Sequence, residues 1–226
     1  MKENYENICR YYLVKKIPVI IRLDGKSFHT LTRDMDKPFD HDFIRAMQCT
    51  AEYLVHNIQG AKVAYVQSDE ISILLTDYES IQTDAWFGYN KSKMESISAS
   101  MATAFFNDCK CMTSRGMAFF DSRSFNIPKE EVSNYFLWRA KDWERNSLSM
   151  LCRSHFSDKE LHEKNRQQQH EMLHQKGVNW ADLPEFCKNG TFKTRDSTEY
   201  CILPNYESIS NLISPYLYEE KTNQYR

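Results

Sequence analysis

The chain has 226 residues, 41% apolar and 27% charged, which suits one core-bearing domain or a domain with an extension. Its formal charge of −2 excludes a generic nucleic-acid coat, so any nucleic-acid contact must come from a local patch. No stretch approaches the roughly 18 consecutive apolar residues of a membrane span, and Met1-Lys2-Glu3-Asn4-Tyr5 leads into no apolar signal segment. Seven cysteines (Cys9, Cys49, Cys109, Cys111, Cys152, Cys187 and Cys201) form no C-x-x-C pair. They read as reduced thiols of a cytoplasmic protein with no structural zinc ribbon.

Residues Tyr5 to Val14 place Ile8 and Tyr11 or Tyr12 at helical spacing and predict an opening helix. Pro18 starts an apolar run that reads as a buried strand and stops at Asp24-Gly25. After a polar loop at Asp36-Lys37-Pro38, Asp40 stands as N-cap of a helix with the stripe Phe43, Ala46, Met47, Leu54 and Val55, ended by Gly60. Two β-rich runs, 61–67 and 71–75, meet at Ser68-Asp69-Glu70 and predict a hairpin with two carboxylates in its turn. A helix rich in small residues is expected from about Ala85 to Asp108, then a strand over 116–120 ending at Asp121-Ser122-Arg123. Pro128-Lys129-Glu130-Glu131 carries the proline and acids of a helix start. Beyond Ser154 we expect a polar helix over 157–175, a loop over 177–196 and a short helix over 204–217.

The order from Ile17 to Phe120 is β-α-β-β-α-β, the split βαβ plan of a ferredoxin-like fold in the α+β class, with further helices. In that plan the first strand neighbours the central hairpin, and Asp24 and Asp69 share one rim. Asp24, the Gly25 carbonyl and Asp69 are then candidate ligands for Mg²⁺, which takes few protein carboxylates and completes its shell with water and phosphate oxygens. Two such ions about 3.5–4 Å apart clamp the attacking and leaving oxygens of a nucleotidyl transfer. Glu70 is a third catalytic carboxylate candidate beside them. The plainer alternative, Asp24 in a turn and Asp69-Glu70 at a solvated hairpin tip, stays open on spacing alone. Lys26, Ser27, His29, Lys37, Ser68 and Lys93 are donors suited to a triphosphate. His170 and His174, with His162 and Glu163 upstream, invite a zinc reading, but the segment is polar and lacks H-E-x-x-H, so an exposed helix fits better.

Taken in order, Arg22-Leu23-Asp24-Gly25-Lys26-Ser27-Phe28-His29, Lys37-Pro38-Phe39-Asp40 and Gln67-Ser68-Asp69-Glu70-Ile71-Ser72 resemble the tRNA-His guanylyltransferase family. Asn90-Lys91-Ser92-Lys93, Phe120-Asp121-Ser122-Arg123 and the run from Trp138 to Ser147 fit the same family, and the resemblance covers roughly residues 5–155. It implies a polymerase-like palm over residues 1–134 and a helical region over 135–226, packed on the palm and contacting tRNA. It also implies 3′-to-5′ addition of nucleotides to tRNA 5′ ends after activation with ATP or GTP, two Mg²⁺ ions and a homotetramer. By motif, Asp24, Gly25 and Asp69 would hold metal. The stretch Asp24-Gly25-Lys26-Ser27-Phe28-His29, with Lys37, Ser68, Asp69 and Lys93, would bind nucleotide. Arg123, Arg139, Asp142, Arg145, Asn146 and Arg153 are the candidates for tRNA. Where eukaryotic members carry His-Ile-Asn-Asn, this chain has Glu144-Arg145-Asn146-Ser147, which resembles the bacterial and archaeal guanylyltransferase-like branch and implies template-matched repair of truncated tRNA. A palm-type nucleotide cyclase, or another RNA-independent nucleotidyltransferase, is the alternative.

Overall fold

The computed structural model describes residues 1–80, 82–113 and 115–218. Short helical turns over Lys2–Glu6 and Asn7–Cys9 open the chain, and the helix expected through Val14 ends there. Tyr12 instead bridges to Asn90, and the Leu13 N–H donates to the Tyr89 carbonyl at 3.0 Å. With Ile8, Tyr11 and Tyr12 all more than half exposed, this segment has no buried face to hold a helix.

Strand β1 (Val19–Gly25) is followed by the one-turn α1 (Phe28–Leu31) and then α2 (His41–Asn57). Asp40 caps α2 by accepting from the Phe43 N–H at 2.9 Å, and the predicted stripe is buried. Strands β2 (Ala61–Gln67) and β3 (Glu70–Leu75) are buried at every position, as befits central strands covered on both faces. The long helix begins later than its sequence pattern implies. Trp86–Tyr89 is a separate 3₁₀ turn with positive φ at Phe87, Gly88 and Tyr89, after which Asn90 caps α3 (Lys91–Asp108). Strand β4 (Phe120–Asn126) starts where the predicted strand ended. The apolar run before it is not sheet, and Met117 and Phe119 are exposed. As an edge strand, β4 needs few buried side chains, so its polar sequence hides it.

Helix α4 (Val132–His155) follows, then α5 (Asp158–Leu161), α6 (Arg166–Gln175), α7 (Glu185–Asn189), β5 (Thr191–Thr194), β6 (Tyr200–Cys201) and α8 (Tyr206–Leu217). The polar helix expected over 157–175 is thus two helices, the second capped afresh by Asn165. The expected loop over 177–196 contains α7 and β5.

The described strands form one sheet in the order β4-β1-β3-β2-β5-β6, with every neighbouring pair antiparallel. Its first four strands have the split βαβ order. Helices α2 and α3 cover one face around Ile21, Leu23, Met47, Leu54, Ile73 and Phe106. The other face is closed by α4 and α8 around Ile20, Tyr65, Leu74, Phe136, Phe192 and Ile209. Each of these large apolar side chains contributes about 2 kcal/mol by burial. The expected boundary at residue 134 falls inside α4, and the region beyond it supplies both a helical layer and two strands. Residues 219–226 of that region lie outside the described residues. No helix among the described residues is long and apolar enough to cross a membrane.

Candidate active site

The site is built where β1 ends. Antiparallel register sets Asp24 opposite Glu70 on β3 and opposite Asp121 on β4. The Gly25 N–H donates to the Asp69 carbonyl at 3.0 Å, which ties the β2–β3 turn to the end of β1. Gln67 and Glu70 are a strand pair, so the turn is Ser68-Asp69 alone. The two-carboxylate turn expected from the sequence is corrected accordingly: Glu70 lies on the sheet. A side chain at Gly25 would meet the Phe28 ring at 2.5 Å, so glycine lets that ring fold back over the chain. Phe28 also meets the rings of Phe43, Phe106 and Phe120 at 5.1–6.0 Å, which anchors the turn after Asp24 in the core. Burial, and then the charge of Asp24, push the Asp69 carboxyl up to about 6. Two carboxylates held together in this way form an all-oxygen site. With the Gly25 carbonyl they make the sparse donor set that fits Mg²⁺. Among the described residues there is no cluster of three or more His, Cys, Asp or Glu suited to a metal.

Behind the rim lies a buried ionic network. Glu70 accepts from Arg139 Nε at 2.7 Å, from Arg139 Nη2 at 2.8 Å and from Ser72 Oγ at 3.3 Å. Arg22 Nη2 reaches the same carboxylate at 2.7 Å and Asp24 at 3.6 Å. Arg139 also donates to Asp142 at 2.9 Å, and Asp142 accepts from the exposed Arg145 at 2.8 Å. Burial works against the Arg139 charge, but Glu70 and Asp142 outweigh it and raise its pKa. The Arg139 side chain is 6% exposed and lies against the Trp138 ring, 4.5 Å from its centroid. The side chain expected at tRNA is thus bound to the sheet and largely buried, in the wall of a cavity beside the acids.

Two cavities flank the acids and share Ser68, Asp69 and Trp143. One, of about 270 Å³, has an apolar floor of Phe28, Met35, Phe43 and Met47 and carries His29 and Lys37 in its wall. The other, of about 360 Å³, includes Arg22 and Asp24 and runs along α4 past Asp142, Asn146 and Arg153. Lys26 and Ser27 are exposed on the turn after Asp24, and Arg123 is exposed on β4.

Lys93 is not brought to this site within the chain. Contacts from Glu95 to Ser124, Ser98 to Ser122 and Thr103 to Phe120 show that α3 descends towards the Asp24 end, leaving Lys93 roughly 10 Å up its axis. It also belongs to the helical layer opposite the one that carries Arg139. Glu144 is only 16% exposed and is paired with Lys141 and Arg166. Burial raises its carboxyl, but the hydrogen bonds from those two cations prevail and hold it below the usual range.

Sequence reasoning passed over Gln67, Arg22 and Asp121 as functional residues. Their signal was alternation: read two residues at a time, each strand puts a polar side chain at the rim on the α4 face.

A split βαβ sheet with two acids meeting at one rim, and a cavity opening beside them, defines a palm-type nucleotidyltransferase. The profile of the family described as Thg1, tRNAHis guanylyltransferase, matches residues 1–128, and the chain belongs to that family. The tRNA(His) guanylyltransferase of Saccharomyces cerevisiae is 24% identical over 200 residues, covering 78% of this chain and 82% of that protein. A probable tRNA(His) guanylyltransferase of Drosophila melanogaster is 23% identical over 233 residues, covering 93% of this chain and 79% of that protein. Among solved structures, a bacterial tRNA(His) guanylyltransferase (Thg1)-like protein in complex with ATP superposes with a TM-score of 0.85 at 40% identity, over 95% of this chain and 94% of that one. A bacterial Thg1-like protein in complex with GTP gives 0.78 at 36% identity, over 96% and 97%.

Proposed function

We propose that this enzyme repairs the 5′ ends of truncated tRNAs, adding template-matched nucleotides in the 3′-to-5′ direction after ATP or GTP activates the end. The observation that carries this reading is that Asp69, tied to Gly25 beside Asp24, lies at the seam of two cavities of different character. The 270 Å³ cavity offers a purine an apolar seat between Phe28, Phe43 and Trp143, with Lys37, His29 and Ser68 at hand for phosphates. The other offers RNA a polar wall on α4, where Asn146 and the exposed Arg153 stand in line with the acids. The ATP and GTP complexes of the bacterial Thg1-like proteins support the nucleotide assignment. Asp24, the Gly25 carbonyl and Asp69 would hold Mg²⁺. When bound, the ions polarise phosphoryl oxygens and neutralise the charge on the attacking and leaving oxygens.

Preference for repair over tRNA-His-specific G addition rests on Glu144. Its charge is spent on Lys141 and Arg166, so this position offers RNA neither an imidazole nor a free acceptor. A cytoplasmic homotetramer completes the reading. Tyr5, Ile8, Tyr11 and Tyr12 support it as an exposed apolar face suited to a second copy.

The test is extension of two RNAs side by side with NTPs and Mg²⁺, a 5′-truncated tRNA and a tRNA-His lacking its extra G. The truncated RNA should be extended in a template-matched manner, and Asp69→Asn should lower the rate by at least about 100-fold. Equal extension by that variant, or a cyclic product from NTP without RNA, would overturn the assignment.

A further inference from the structure

Arg139 grips both ends of the Ser68-Asp69 turn. On β3, its Nε and Nη2 meet the two oxygens of Glu70 in a bidentate pair. On β2, the Gln67 amide, oriented by its partners, accepts from Arg139 Nη2 at 2.7 Å and donates to the Arg139 carbonyl at 2.8 Å. Gln67 and Glu70 are the strand pair that closes the turn, so one guanidinium from α4 fixes the two residues flanking Ser68-Asp69. The same contacts, with Arg22, occupy both oxygens of Glu70. Around the guanidinium, Glu70, Asp142, Arg22 and Gln67 face it from β3, α4, β1 and β2. Tyr135 on the preceding turn of α4 reaches Ser72 at 2.9 Å.

We infer that Arg139 is a positioning residue for nucleotidyl transfer: through Gln67 and Glu70 it sets where Asp69 stands relative to Asp24. The inference rests on the reading of those two acids as the catalytic pair. Lysine cannot replace arginine here, because a single ammonium does not serve Glu70 and Gln67 in one plane.

The experiment compares wild type with Arg139→Lys, Arg145→Ala and the uncharged pair Glu70→Gln/Arg139→Gln, using the full chain. Three quantities are measured: tRNA affinity by fluorescence anisotropy, steady-state extension, and Mn²⁺ binding to the nucleotide-loaded protein by electron paramagnetic resonance. Arg139→Lys should leave the tRNA Kd within about 2-fold and the KM for NTP little changed, while kcat falls at least about 30-fold and Mn²⁺ affinity about 10-fold. Arg145→Ala should show the converse, weaker tRNA binding with kcat retained at saturating RNA. Loss of tRNA affinity in Arg139→Lys matching that of Arg145→Ala, or an unchanged kcat, overturns the proposal. Should Arg139→Lys fail to fold, the uncharged pair decides the same question: a kcat loss with intact tRNA affinity supports the proposal, and any other pattern refutes it. Failure of the catalytic-pair reading would show separately, as full activity in Asp69→Asn.

Discussion

Asp69 is held in a place that suits its chemistry and not the fold. The turn before it needs φ of +47° at Ser68, a left-handed backbone that costs a non-glycine residue about 1–2 kcal/mol. The carboxylate itself is half-buried beside Asp24, and its pKa of about 6 stands above the usual carboxylate value. A raised carboxyl pKa means that the folded state prefers the protonated form. The metal-free protein therefore loses stability as pH rises from about 4 through 6, and by neutral pH the ionised side chain costs about 2 kcal/mol. Asn carries no such charge. In Mg²⁺-free buffer, Asp69→Asn should melt several degrees above wild type at pH 7.5, and the gap should close at pH 4.5. A variant that is inactive yet more stable is expected where a residue is kept for catalysis. Thermal melts at the two pH values, with excess chelator, decide it.

Between elements, α2 is tied to β5 by an ion pair, Glu52 to Lys193, 2.7 Å apart. The Lys193 side chain is wholly buried, whereas Glu52 is 37% exposed. The lysine beside it lowers the Glu52 carboxyl pKa, with burial opposing. Because that pKa is depressed, the stabilisation is present above the unfolded value near 4.3 and is lost as pH falls through the folded value. Removing only the acid strands a buried cation. Glu52→Ala should cost about 2 kcal/mol, less than a fully buried pair because Glu52 is partly solvated, and lower Tm by about 4–8 °C. Lys193→Met should be nearly neutral at pH 7 and flatten the acid limb of the melting curve. Equal losses from both variants would show that the pair, and not the stranded lysine, sets the cost.

Strand β5 also marks the limit of what periodicity reveals. Asp24, the capped α2 and the β2–β3 hairpin were legible because burial on both faces writes long apolar runs. The edge strand β4 carries less burial, and Phe120–Asn126 reads as polar. Thr191–Thr194 is buried but only four residues long, too short to show a period, and both strands take their conformation from the strand beside them. The meeting of Glu70 and Arg139 was hidden for a related reason. Charged residues look solvated in a sequence, and only the packing of α4 on the sheet shows that two of them meet across 69 positions and bury one another. Lys93 was grouped with the phosphate donors by motif, and the direction of α3 separates it.

At the scale of the whole molecule, the net charge of −2 and the local cations at Arg145 and Arg153 coexist because α4 carries them on its outer side, above the acids it helps to place. The palm is not a free-standing module beneath it. Val63 to Val66 of β2 pair with residues 191–194, so the sheet draws its fifth neighbour from a segment more than a hundred residues away. A fragment ending at residue 134 would strip that neighbour and bare a row of unanswered amides and carbonyls along an apolar ribbon, a template for self-association. Such a fragment is expected to form β-rich aggregates, seen as thioflavin fluorescence and pelletable mass. Soluble, monomeric fragment would mean that β2 can stand at the margin of a sheet. The protein's last third thus acts as a guard on its own catalytic scaffold, and a nascent palm leaving the ribosome stays vulnerable until residue 194 has been made.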